Sequence, residues 1–133
     1  MSLGLDTSVI VRLMLGAPVG LADAALRRLE RARANGESVH VSDIILAEAY
    51  FALQYHYGIP KSEAVGLLRR LAESGTVVVH PRTLAALLSS STAGLADRLL
   101  LARHGIEGWK TLTFDRRQAR AGQAELIRSP RRR

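Results

Sequence analysis

Leu3-Gly4-Leu5-Asp6-Thr7-Ser8-Val9-Ile10-Val11 passes from a short apolar run to a carboxylate, then to two hydroxyls, then to a β-branched apolar run. Residues 3–6 read as a first short strand, and Thr7-Ser8 offers a cap for a helix over 9–15. Ligands in open α/β sheets bind beyond the carboxyl ends of the strands, so Asp6 occupies a place where chemistry is expected. Gly16-Ala17-Pro18 then breaks the helix.

The same alternation of short apolar runs with helical spacing continues along the chain. Residues 21–34 place Leu21, Ala24, Ala25 and Leu29 on one stripe, with Arg27, Arg28, Arg31 and Arg33 mostly outside it, and Asn35-Gly36 closes this amphipathic helix. Val39-His40-Val41 is a second strand. Ser42 caps a helix over 43–57 that Gly58 and Pro60 stop, and 62–73 forms another. Thr76-Val77-Val78-Val79 is a β-branched strand, and Pro81 starts a helix through Leu88. After a Ser-rich loop, 95–104 returns to helical spacing and ends at Gly105. Residues 110–114 are a strand running into Asp115, 116–121 a short helix, and 124–128 a last strand. The pattern predicts an α/β fold with a five-stranded, mainly parallel sheet covered by helices on both faces.

The chain has 133 residues, which predicts one domain over 1–128 followed by a basic tail at 129–133. Absence of cysteine excludes a disulfide scaffold and any thiolate metal site, and suits a reducing cytoplasm. The start of the chain has neither a basic flank nor a long apolar run, so neither a signal peptide nor a membrane span is expected, and the predicted location is cytoplasmic. Net charge is +7, yet residues 1–97 carry nine basic and nine acidic side chains. The whole excess lies from Arg98 onward, which points to a polyanionic partner, above all nucleic acid. A solubilising surface accounts for the same charge equally well.

Four acids stand out. Asp6 and Asp115 follow strands, Asp97 falls in the first turn of a helix after a loop, and Glu48 is the only charge between Ile44 and Leu53. An isolated Glu on so apolar a helix calls for a cationic partner. Each acid alone has an ordinary explanation as a cap, a dipole partner, a turn residue or half of an ion pair. Gathered together, they would repel: two carboxylates about 4 Å apart cost roughly 4 kcal/mol at an effective dielectric near 20. Such a cluster demands protonation or a cation, and hard oxygen ligands select Mg²⁺ or Mn²⁺.

Leu5-Asp6-Thr7-Ser8-Val9-Ile10-Val11 resembles the opening segment of PIN-domain nucleases, especially the VapC-type toxins of toxin-antitoxin pairs. Val41-Ser42-Asp43-Ile44-Ile45-Leu46-Ala47-Glu48 is similar to their second motif. Gly94-Leu95-Ala96-Asp97-Arg98-Leu99-Leu100 is similar to the third, and Thr111-Leu112-Thr113-Phe114-Asp115-Arg116 to the fourth. The resemblance spans nearly the whole chain in the family's order. It implies a three-layer α/β/α sandwich in which Asp6, Glu48, Asp97 and Asp115 bind Mg²⁺ or Mn²⁺ and are required to hydrolyse RNA, with Ser8 and Thr113 as small polar groups near the metal. It also implies a homodimer and a cognate antitoxin as partners. Gly94 departs from the pattern, since many relatives carry a further acid there, and Arg98 replaces a commoner small residue where it meets either RNA phosphate or an acid. With Arg98, the basic residues Arg116, Arg117 and Arg120 are the expected RNA contacts.

Tyr50, Phe51, Tyr55 and Tyr57 gather on one predicted helix and its end; core packing is expected for Phe51, and the resemblance to PIN toxins implies an interface for some of the tyrosines. Trp109 reads as a loop anchor sooner than a base-stacking residue. The four histidines lack ligand spacing. Competing classes are a receiver-like phosphate switch, disfavoured because Asp6 has no acidic neighbour; a non-catalytic RNA-binding module, disfavoured because all four acids are present; and a housekeeping RNA-processing nuclease. The sequence thus predicts an Mg²⁺- or Mn²⁺-dependent endoribonuclease, the toxin of a type II pair.

Overall fold

Strand β1 (Ser2–Gly4) runs through Leu5 and Asp6 into helix α1 (Thr7–Leu15) in the computed structural model, which describes residues 1–91, 93–120, 124–128 and 130. Arg131, Arg132 and Arg133 of the expected basic tail lie outside the described residues, as does Ala121 at the expected end of the last helix. Asp6 itself caps α1, its side chain accepting from the Thr7 amide, where Thr7-Ser8 was the expected cap. An aspartate in extended conformation satisfies an amide that the helix leaves unpaired, and it needs no help from the hydroxyls that follow. Gly16, at φ 64°, ends the helix in the left-handed region that glycine tolerates best.

The remaining elements are α2 (Val19–Ala34), β2 (Ser38–His40), α3 (Asp43–Tyr55), α4 (Lys61–Glu73), α5 (Pro81–Leu88), α6 (Leu95–Glu107), β3 (Thr111–Thr113), α7 (Arg116–Arg120) and β4 (Ala124–Leu126). Ser42 caps α3 through Oγ, as expected from the sequence. Helix α6 continues through Gly105 and ends at Gly108, whose φ of 75° makes it the terminator. A glycine lowers helix stability without stopping a helix whose flanks pack, and only the second glycine adopts the left-handed turn.

Pairing of strands is parallel throughout the described ladders: Leu3 faces Val39 between β1 and β2, and Leu112 faces Glu125 between β3 and β4. Where a five-stranded sheet is expected, the described residues form two sheets of two strands each. The segment expected as a strand at 76–79 adds a single bridge between Val78 and His40, with the Val78 amide 2.7 Å from the Val39 carbonyl. Its room is short: Gly75 turns the chain just before it, and His80 and Pro81 begin α5 just after it. Strands of three residues supply few ladder bonds to any neighbour. Leu112 and Phe114, 61% and 72% exposed, show that β3 lacks the two-sided cover of a central parallel strand.

One hydrophobic core joins α1 to α6. Ile10, Leu29, Leu46, Ala49, Tyr50, Leu53, Leu68, Leu87, Leu95 and Leu99 are buried in it, with Val39 and Val41 from the β2 region. Burial of each such side chain contributes about 1.5–3 kcal/mol, so this core sets how α1, α3 and α6 stand relative to one another. Those are the helices that begin at or carry Asp6, Glu48 and Asp97. No single helix among the described residues is long and apolar enough to cross a membrane.

Candidate active site

Local chemistry holds Asp6 in place. Its Oδ1 accepts the Thr7 amide at 2.8 Å and its Oδ2 accepts the Ser8 hydroxyl at 3.1 Å, while its carbonyl starts the helix by accepting from Val9 and Ile10. Ser8, expected near the acids, therefore touches one of them directly. Thr7 was expected only as a cap. Its hydroxyl reaches across to α3 and donates to Glu48 Oε2 at 2.7 Å, a short bond to a charged acceptor. Asp6 and Glu48 are thus joined through one intervening residue, although 41 positions separate Thr7 from Glu48.

Glu48 was expected to need a cation because its helix is so apolar. The structure places it on the exposed side of α3, in a stripe with Ile44, Phe51 and Tyr55, while Leu46, Ala49, Tyr50 and Leu53 take the core side. There the Thr7 hydroxyl is its hydrogen-bond donor. Phe51, expected in the core, is 43% exposed, and Tyr50 is the buried ring. The helix simply has more apolar residues than one face can bury, and periodicity then leaves the choice to packing.

Asp97 is half-buried in the first turn of α6, behind Gly94, which supplies no side-chain cap. A Cβ built at Gly94 would stand 3.8 Å from Asp97 Oδ2, in ordinary contact, so a side chain at this position would adjoin the carboxylate. Asp115 is exposed and follows β3 as Asp6 follows β1. Its Oδ1 accepts the Arg117 amide at 2.8 Å, and the Thr113 hydroxyl oxygen accepts the Asp115 amide at 2.9 Å. Thr113 shapes the turn that presents Asp115. Among the described residues, no three Asp, Glu or His side chains come together closely enough to hold a metal ion. The structure brings Asp6 to Glu48 and gathers neither Asp97 nor Asp115 onto them as a metal-binding trio. The donors are hard carboxylate oxygens, chemically suited to Mg²⁺ or Mn²⁺. They fit such an ion by type, and the described contacts link two of them, Asp6 and Glu48, through Thr7.

Two contacts that the sequence did not reveal govern the frame. Arg103 of α6 grips Asp43 of α3 with two bonds, Nε to Oδ2 at 2.7 Å and Nη2 to Oδ1 at 3.2 Å. The Arg103 hydrogen bond is the main reason the Asp43 carboxyl is held below its ordinary value, against an opposing effect of burial. Nothing in one dimension pairs residues 60 positions apart.

Arg98, expected to meet RNA phosphate or an acid, donates instead to backbone carbonyls: Nε to Ala86 at 2.9 Å and Nη1 to Ala93 at 2.6 Å. Arg69 of α4 adds bonds of 3.0 Å to Leu87 and Ser89. These carbonyls lie at the end of α5 and in the loop beyond it, where a helix leaves acceptors without partners. Burial first, and the nearby Arg69 charge second, lower the basicity of Arg98. Holding two cations there is worthwhile only because the carbonyls take up their charge. Arg98 thereby ties down the loop that leads into Asp97.

Arg116 and Arg120 line an open groove with Phe114, while Arg117 stands off it. Trp109 is 59% exposed and tilted against the His104 ring at 5.7 Å, and His104 Nδ1 is 2.7 Å from the Thr111 hydroxyl.

The sequence matches the PIN domain family model over residues 4–124, a span that includes all four acids. No curated protein matches it.

Replacing Arg98 by Ala leaves the half-buried Ala86 and Ala93 carbonyls without these donors, and should lower the unfolding free energy in urea by about 1 kcal/mol. An unchanged midpoint would remove the loop clamp from the account. For Asp43 the sign follows from its lowered folded-state value: it contributes stability above its ordinary value of 3.8, and loses it as pH falls through the folded value. Asp43→Asn should therefore be less stable than wild type at pH 7, with the gap closing below about pH 4. A gap that is constant in thermal melts across this range would show that the ion pair with Arg103 contributes nothing.

Proposed function

The chain belongs to the PIN domain family, and on that footing we propose that it is an Mg²⁺- or Mn²⁺-dependent endoribonuclease acting as the toxin of a type II toxin-antitoxin pair. PIN domains are generally nucleases that use divalent metal ions. The observation that carries the reading is the link from Asp6 through Thr7 to Glu48, which brings together acids from two of the four family-like motifs.

Asp6 and Glu48 would hold the ion, with Asp97 and Asp115 as the further acids of the set. Such an ion, when bound, would supply positive charge against phosphate oxygens and would favour deprotonation of the attacking water near neutral pH. The chain's own residues prepare the ground. Thr7 orients Glu48 by donating to one carboxylate oxygen, and its amide and Ser8 together orient Asp6. Both acids are exposed, so an extended phosphodiester can approach them without the protein opening. Arg116 and Arg120 offer positive charge for the RNA backbone beside Asp115.

Toxin function, an antitoxin partner and a homodimer rest on the resemblance to VapC-type proteins, and a cytoplasmic location on the absence of cysteine. The exposed Ile44, Phe51 and Tyr55 stripe supports the partner readings, since apolar surface on a helix invites a covering chain. A non-catalytic RNA-binding module is the second reading. It is favoured by the absence, among the described residues, of three acids close enough to share an ion.

Cleavage of RNA with and without Mn²⁺ separates the two. Asparagine caps helices as well as aspartate does, so Asp6→Asn should keep α1 folded while removing a charged ligand. Manganese-dependent cleavage should fall by at least about 100-fold with an unchanged circular dichroism spectrum. Wild-type protein that never cleaves RNA in Mn²⁺ would support the binding module, and an unaffected variant would take Asp6 out of the mechanism.

A further inference from the structure

The groove of about 740 Å³ between α7 and β4 is lined by two kinds of residue. Phe114, Ala119, Leu126 and Ile127 contribute apolar lining, and Arg116, Arg120 and Arg128 contribute cationic lining. Phe114 is 72% exposed, an unusual place for a ring on a surface with no described partner. Arg116 and Arg120 are four residues apart on α7, so they lie on one side of it. Arg117 lies between them in sequence and is not among the residues that line the groove. None of the three groove arginines forms a side-chain hydrogen bond or an ion pair among the described residues. The adjacent acids are already engaged: Asp115 Oδ1 accepts α7 amides, and Glu125 Oε1 lies 3.5 Å from Lys110.

A ligand for such a groove needs regularly spaced negative charge and flat apolar faces. Inorganic anions have no use for Phe114. A duplex buries its bases in the stack and presents phosphates and sugars, whereas an unpaired strand exposes both phosphates and base faces. We propose that the groove is a subsite for single-stranded RNA, in which Phe114 stacks on one base and Arg116, Arg120 and Arg128 hold the neighbouring phosphates. Phe114 and Arg128 thereby join the binding residues, and Arg117 leaves them. The choice of RNA over another single strand rests on the nuclease reading, while the stacking geometry stands without it. Since Asp115 lies between Phe114 and Arg116, a strand in this groove runs directly past one of the four acids.

Binding can be measured by fluorescence anisotropy on the full chain in EDTA, which excludes cleavage and metal. The probes are an unstructured oligoribonucleotide and a duplex RNA of equal length. Phe114→Ala and Phe114→Leu should each weaken single-strand binding by about tenfold and leave duplex binding unchanged. Loss in both variants identifies the ring, since leucine keeps apolar bulk. Replacing Arg116, Arg120 and Arg128 together by Ala should flatten the dependence of log affinity on log salt by about two. Arg117→Ala should leave affinity and slope as they are. Unchanged single-strand binding in Phe114→Ala, or an equal effect of Arg117→Ala and Arg128→Ala, would overturn the proposal. Displacement of the oligoribonucleotide by poly-L-glutamate with the same dependence on Phe114 would overturn it in favour of an acidic peptide. This binding pattern in a protein that fails to cleave RNA in Mn²⁺ would uphold the subsite and sink the catalytic reading alone; cleavage without the pattern would do the reverse.

Discussion

Everything at the candidate site depends on how α1 is packed against α3. Ile10 from one helix and Leu46, Ala49, Tyr50 and Leu53 from the other are buried in the same core, and together they outweigh any single polar contact. That packing places Thr7, in the first turn of α1, within reach of the exposed side of α3. The hydrogen bond to Glu48 then selects one orientation of the acid. A bond to a charged acceptor is worth about 1.5–3 kcal/mol at most, enough to choose a rotamer and too little to position two helices. The division of labour is therefore clear: apolar burial sets where the acids stand, and short hydrogen bonds set where their oxygens point.

The same division extends to α6. Its Leu95 and Leu99 enter the common core, while Arg103 binds Asp43 at the start of α3. Asp97 is thus connected to Glu48 through the two helices that carry them. Arg98 and Arg69 act from the other side, holding the α5 end and the following loop by their carbonyls. Arginines in this protein consequently do two different jobs. Those that meet carbonyls or carboxylates build the frame, and those around Phe114 face solvent with their charge uncompensated by described neighbours.

Much of this was legible in one dimension because it is local. Caps at Ser42, breaks at Gly16 and Gly36, and the helix starting at Pro81 each depend on a few adjacent residues, and the structure places them where their chemistry predicts. Asp6 and Asp115 follow strands for the same reason. What escaped the sequence was set by packing across distance. Periodicity could not decide which side of α3 the core would take, so Glu48 and Phe51 proved exposed while Tyr50 was buried. Arg98 looked like a substrate contact because its acceptors, backbone carbonyls, leave no trace in composition. Among the described residues the five expected strands do not form one sheet, since three-residue strands and a single bridge at Val78 leave hydrogen bonding too sparse to dictate how sheets join. The four acids were expected together on the strength of motif order, which says nothing about separation in space.

The central claim is that Asp6 and Glu48 form the nucleus of a divalent-cation site, and locating the cation tests it most directly. Crystals of the protein soaked in Mn²⁺ and recorded at the manganese absorption edge would reveal the ion by its anomalous scattering. The account predicts a peak at coordination distance, about 2.0–2.6 Å, from carboxylate oxygens of both Asp6 and Glu48. A protein that takes up no manganese, or binds it only at acids away from this pair, would contradict it.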